Sequence, residues 1–180
     1  MKIVRGLFVS LIVLVLLLGI VGFFLPSQVH VERRIEIAAP ASAIYDVVTD
    51  FRQFNQWSPW RDLDPDATYE ITGTDRAIGS KFAWFSDKPE VGNGSQTITA
   101  LEPDRSMGMR LEFEGQKPAD SFFRLTPGDQ GTIVVWGFDT DLGANPFMHY
   151  FSLIIDRLLG PTFDDGLLRL KKYIETDPKT

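Results

Sequence analysis

The chain of 180 residues contains no cysteine. That excludes disulfides, thiolate metal sites and a cysteine nucleophile, and leaves the compartment open. Histidine is nearly as scarce. His30 and His149 are the only two, and neither has a second histidine at ligand spacing, so a histidine metal centre has no basis. Positive charge is the minority, with 18 Lys and Arg against 24 Asp and Glu. Setting aside Lys2 and Arg5, which precede a long apolar run, the remainder holds 16 against 24, a net −8. Nucleic acid would want a basic face and anionic lipid heads a polybasic patch; neither is present. Gly92-Asn93-Gly94 lacks the lysine and the following helix of a phosphate loop and reads as a turn or bulge. Ser58, Ser80 and Ser95 stand outside any nucleophile elbow. No cofactor is expected.

What is abundant is apolar, 44% of residues. The segment Gly6 to Leu25, GLFVSLIVLVLLLGIVGFFL, runs 20 residues without a charge. As a helix it measures roughly 30 Å, the hydrocarbon thickness of a bilayer. A removed signal peptide has an apolar stretch of about 7–15 residues and a small-x-small exit. Here the exit is Phe23-Phe24-Leu25-Pro26-Ser27, so the segment reads as a retained anchor. Lys2 and Arg5 before it obey the positive-inside rule. The expectation is a single-pass protein of the inner (cytoplasmic) membrane, its body facing the periplasm or the outside. Residues 1–27 form the anchor and linker, 28–176 the domain and 177–180 a tail.

The body begins with period-two alternation: Val29, Val31, Arg33, Ile35 and Ile37 share one face of a strand ending at Pro40. Ile44, Val47, Val48, Phe51 and Phe54 then fall at helical spacing, and Asp50 is placed to cap a second short helix. About six strands follow, joined by short loops and therefore antiparallel. Gly128-Asp129-Gln130-Gly131 marks the last hairpin. Met107, Met109, Leu111 and Phe113 share one face, as do Val134, Trp136 and Phe138, so one side of the sheet needs a cover. The C-terminal segment supplies it. Phe147, Phe151, Ile154, Ile155 and Leu158, then Phe163, Leu167, Leu170 and Ile174, recur at helical intervals, with a kink or break expected at Gly160-Pro161. The fold class is α+β: a curved antiparallel sheet wrapping a long C-terminal helix, preceded by one transmembrane helix.

The stretches IEIAAPASAIYDVVTDFRQFNQWSPW, IGSKFAWFSD, VGNGSQTIT, GTIVVWGF and GPTFDDGLLRLKKYIE together resemble the SRPBCC superfamily. That superfamily has the helix-grip fold of START lipid-binding domains and polyketide cyclase/dehydrase proteins. The resemblance is nearest to a membrane-anchored bacterial branch and covers about residues 31 to 175. It implies a cavity for a lipid, polyketide or similar apolar ligand, and no shared catalytic residue. The candidate lining is Trp60, Phe82, Trp84, Met107, Met109, Phe123, Trp136, Phe138 and Phe151, large side chains that either line a cavity or fill it.

Three functions stay open. The first is a non-catalytic binder whose partners are an apolar molecule or lipid and the membrane. The second is a cyclase or dehydratase drawing on Asp139, Tyr45, Tyr150 or His149 as acid or base. The third is an envelope interaction module. Asp139 and Asp141 lie opposite the apolar face of their strand, and Arg110 falls outside by the same parity. Trp57 and Trp60 are expected to plug one end of the sheet, with Trp60 at the pocket mouth.

The anchor yields a first prediction. Leu16→Arg places a charge at the centre of the run, at about 2.5–3.5 kcal/mol on insertion scales. Its apolar neighbours partly offset this, so insertion is weakened and not abolished. In intact spheroplasts a C-terminal tag is digested by added protease on the parent chain and partly protected on the variant.

Overall fold

The computed structural model describes residues 2–176, and the tail assigned to 177–180 lies outside the described residues. Helix α1 (Lys2–Phe23) is long and apolar enough to cross a membrane. Strand β1 (Gln28–Ile37) follows, then α2 (Ala41–Thr49), α3 (Phe51–Trp57) and a 3-10 turn, Pro59–Leu63. Six strands come next: β2 (Thr68–Thr72), β3 (Lys81–Phe85), β4 (Gly94–Glu102), β5 (Ser106–Phe113), β6 (Ala119–Pro127) and β7 (Thr132–Asp141). A second 3-10 segment, Met148–Leu153, leads into α4 (Ile155–Thr176). Asp50 caps α3 as its position implied, its carboxylate accepting from the Arg52 amide at 3.0 Å.

The strands form one antiparallel sheet in the order β1-β7-β6-β5-β4-β3-β2, so the first strand pairs with the last. Register carries the apolar face across the sheet. Phe82 opposes Gln96, Gln96 opposes Leu111, Met107 opposes Phe123, and Phe123 opposes Trp136. Because cross-strand partners point the same way, these residues share one concave face. Helix α4 lies against that face and buries Phe163, Leu167, Leu170 and Ile174. The Phe163 ring stacks on Trp136 with centroids 4.5 Å apart, and Trp136 stacks in turn on Phe123 at 5.1 Å.

Two expectations about the C-terminal segment need correction. Of the kink or break expected at Gly160-Pro161, the break does not occur: α4 runs through it with Pro161 inside. The missing N–H is tolerated where the turns on either side are held by one cation. Arg33 on β1 reaches Asp156 at 2.8 Å and Asp164 at 3.3 Å, and its guanidinium lies against Gly160, which has no side chain to obstruct it. The division falls instead at Ile154, between the 3-10 segment and α4. With about three residues per turn, Phe147, Phe151 and Ile154 leave the stripe that continues into α4. All three are exposed, Phe151 by 46%, where helical spacing had placed it in the interior.

The outer face of the sheet is polar. Arg110 pairs with Asp120 at 2.8 Å and Arg124 with Glu32 at 2.5 Å, so the two arginines neither face each other nor point inward. His30 sits between Asp139, 2.7 Å away, and Glu32, 3.2 Å away. The hydrogen bond to Asp139 raises the imidazole above its ordinary value. A histidine held charged in the fold stabilises it below about pH 6.5 and loses that contribution as the pH rises through the raised value. The full chain in detergent should therefore lose urea resistance as the pH rises above about 6.5, and His30→Gln should flatten that part of the profile. An unchanged profile in the variant would assign the slope to other groups.

Candidate functional site

A cavity of about 360 Å³ lies between the concave sheet and the helices. Its sheet wall is Phe82 and Trp84 from β3, Leu111 and Phe113 from β5, and Trp136 and Phe138 from β7. Phe54, Trp60 and Leu63 close one side, and Ile155, Leu158, Leu159 and Phe163 of α4 the other. The size and the apolar walls fit one small hydrophobic molecule. One backbone position makes the Trp84 wall possible. A Cβ on Gly94 would fall inside the Trp84 indole and 2.7 Å from the Glu112 carbonyl, so only glycine lets the ring lie flat across β4.

The polar residues of the lining differ in their partners. The Ser121 hydroxyl donates to the Gly137 carbonyl at 2.8 Å and accepts from the Trp136 indole at 3.2 Å. Buried Asp64 accepts from the Ser86 hydroxyl at 2.5 Å and pairs with Lys88 at 3.2 Å. The Ser86 hydrogen bond, aided by Lys88, holds its carboxyl below the usual range, so it remains a carboxylate at neutral pH. Burial pushes the Tyr69 phenol up, keeping it a neutral hydroxyl. Gln96 stands apart. It is 5% exposed on the inward face of β4, and its Nε2 has no hydrogen-bond partner among the described residues. An unpaired buried donor costs about 1–3 kcal/mol.

Of the nine residues proposed from sequence, Trp60, Phe82, Trp84, Trp136 and Phe138 line the cavity. Met107, Met109 and Phe123 are buried in the core without lining it, while Phe151 is exposed beside α1. Trp57 is the plug: 1% exposed, edge-on to Phe54, Phe123 and Trp136. Trp60, three residues past the end of α3, turns to the cavity.

The four acid–base candidates stand elsewhere. Asp139 is on the outer face with His30, and Tyr45 is on α2, away from the wall. Tyr150 donates to the Leu18 carbonyl at 2.9 Å. His149 lies buried between the carbonyls of Gly22 and Gly143. Sequence reasoning missed Gln96, although its parity with Ile98 marks a polar residue at an inward position. It also missed Leu159, which only the course of α4 brings to the wall.

A curved antiparallel sheet gripping a long helix, with two short helices closing one end, defines the helix-grip class. The chain belongs to the polyketide cyclase/dehydrase and lipid transport family, within the SRPBCC superfamily, and the family model matches residues 28–175. Solved structures share the fold. SA2116 of Staphylococcus aureus aligns at 12% identity over 85% of this chain and 97% of that one, with a TM-score of 0.64. CalU16 of Micromonospora echinospora aligns at 22% identity over 84% of this chain and 76% of that one, with a TM-score of 0.54. The Aha1 dimer of Colwellia psychrerythraea gives 18% identity, 82% and 97% coverage and a TM-score of 0.56. At these identities the likeness establishes the fold alone. No curated protein sequence matches the chain significantly.

The Gly94 contact gives the test of this wall. Gly94→Ala should push Trp84 into the cavity, cost about 1–3 kcal/mol in urea unfolding and weaken binding of an apolar naphthalene dye. Unchanged stability and dye affinity would mean that Trp84 is not seated on Gly94.

Proposed function

We propose that the protein is a membrane-anchored binder of an apolar molecule that carries one hydrogen-bond acceptor. Residues 28–176 are the binding domain, and residues 1–27 hold it at the inner membrane with the domain on the non-cytoplasmic side. Supporting the anchor are the length and composition of α1 and the Lys2 and Arg5 that precede it. The observation that carries the binding reading is the apolar cavity whose lining includes Gln96, a buried side chain with its Nε2 unpaired among the described residues. Trp60, Phe82, Trp84, Trp136 and Phe138 contact the apolar body of the ligand. Met107, Met109 and Phe123 back that wall, and Gln96 donates to a carbonyl, hydroxyl or ester oxygen.

The function is retention and not turnover. A cyclase or dehydratase needs an acid or base free to exchange a proton at the wall. Of the two carboxylates on the lining, Asp64 is already engaged by Ser86 and Lys88, and Glu90 is exposed to solvent.

A fluorescent naphthyl alkyl ketone and its hydrocarbon analogue separate the parts of this reading. Both should bind the full chain in mild detergent with one-to-one stoichiometry. Gln96→Leu should weaken the ketone about tenfold, the worth of one hydrogen bond, and leave the hydrocarbon unchanged. Equal effects on the two probes would remove Gln96 from recognition, and binding of neither probe would end the binder reading.

A further inference from the structure

The β1–β7 ladder runs from Gln28 opposite Asp141 to Ile37 opposite Thr132. It returns the end of β7 to the place where α1 hands over to β1, and the Leu142 amide donates to the Ser27 carbonyl at 2.8 Å. The segment after β7 runs along the end of α1. Tyr150 donates to the Leu18 carbonyl at 2.9 Å, His149 Nδ1 lies 2.9 Å from the Gly22 carbonyl, and the Phe147 ring lies 3.6 Å from where a Gly19 Cβ would stand. Gly22 leaves no room for a side chain against Pro146. Leu18 is five residues inside the end of α1, so these contacts run about 7.5 Å down the helix.

The segment's other side is bare. Met148, Leu153, Ile154 and Leu158 are 40%, 63%, 43% and 61% exposed, and no Asp, Glu, Lys or Arg occurs from Leu142 to Ile155. A patch of this kind on a soluble surface marks an interaction site. Leu158 is exposed and also lines the cavity, so the cavity reaches this patch.

We infer that residues 146–155, with Leu158 beyond the charged Asp156 and Arg157, form a second membrane contact, seated at the acyl boundary of the leaflet that holds the C-terminal end of α1. The cavity mouth then opens on the leaflet, and its occupant passes between bilayer and protein without crossing water. The inference rests on the reading of α1 as an anchor. The occupant of the patch is the bilayer because the patch is continuous with α1 and docked on it over about 7.5 Å of its length. Phe151 belongs to this surface and not to the ligand wall.

The absence of cysteine makes the test clean. Leu153→Cys and Phe151→Cys carry an environment-sensitive nitrobenzoxadiazole label, and Asp129→Cys, about 30 Å away at the other end of the β1–β7 ladder, is the control. The full chain is reconstituted in phosphatidylcholine/phosphatidylglycerol vesicles containing lipids with nitroxides high on the acyl chain. Naphthyl ketone binding verifies that each variant is folded. The labels at 151 and 153 should emit to the blue and be quenched by the nitroxides, while that at 129 stays wet and unquenched. Wet labels at 151 and 153 on a chain that resists carbonate extraction overturn the inference and leave the anchor standing. Dry but unquenched labels overturn it in favour of a protein partner or a second copy. Release by carbonate overturns the anchor itself, and the inference with it. A second measurement addresses the mouth. Met148→Asp with Leu153→Asp should slow ketone transfer from vesicles to the protein about tenfold while leaving its affinity in detergent unchanged. Equal transfer rates would overturn direct loading.

Discussion

The structure depends on the pairing of its first strand with its last. Ten residue pairs join β1 to β7, and no covalent link does the same work in a chain without cysteine. That ladder carries the concave face to Arg33, which ties down both sides of Pro161 in α4. It also sets the end of β7 beside the end of α1, so the segment that starts the C-terminal helix must run along the apolar N-terminal helix. Loss of this pairing would release α4 from one edge of the sheet and separate the cavity from α1 together.

Much of the fold is legible in the sequence because its signals are local. Period-two alternation in β1, β5 and β7, the Gly128–Gly131 turn and the Asp50 cap each state their structure within a few residues. The stripe of Phe163, Leu167, Leu170 and Ile174 is equally plain. The segment before it was not legible, because what shapes it is distant in sequence. Phe147 and Phe151 keep helical spacing to Ile154 and Leu158, yet Tyr150 and His149 are held by carbonyls of α1 more than 120 positions away. Pro161 misleads for the same reason, since the cation that holds its flanks comes from β1.

The candidate site is legible in part. Strand parity sends Phe82, Trp84, Trp136 and Phe138 inward, and all four reach the cavity. Parity alone does not separate wall from filling. Met107, Met109 and Phe123 point the same way but sit under α2 and α3, where Trp57 and its aromatic neighbours occupy the space. The cavity survives further along the sheet because the helices cover that end with Trp60 and Leu63 and with the first turns of α4. Gln96 is the informative exception: a polar residue at an inward position, with a donor that none of the described residues engages.

The central claim is that this cavity holds an apolar molecule with one acceptor oxygen. Native mass spectrometry of the full chain, released from its own membranes in mild detergent, tests it most directly. The account predicts a bound mass of one small molecule per chain, extractable into organic solvent, bearing a carbonyl, hydroxyl or ester, and reduced on Gln96→Leu. A chain that is reproducibly empty, and that takes up no lipid or ketone on titration, would contradict it.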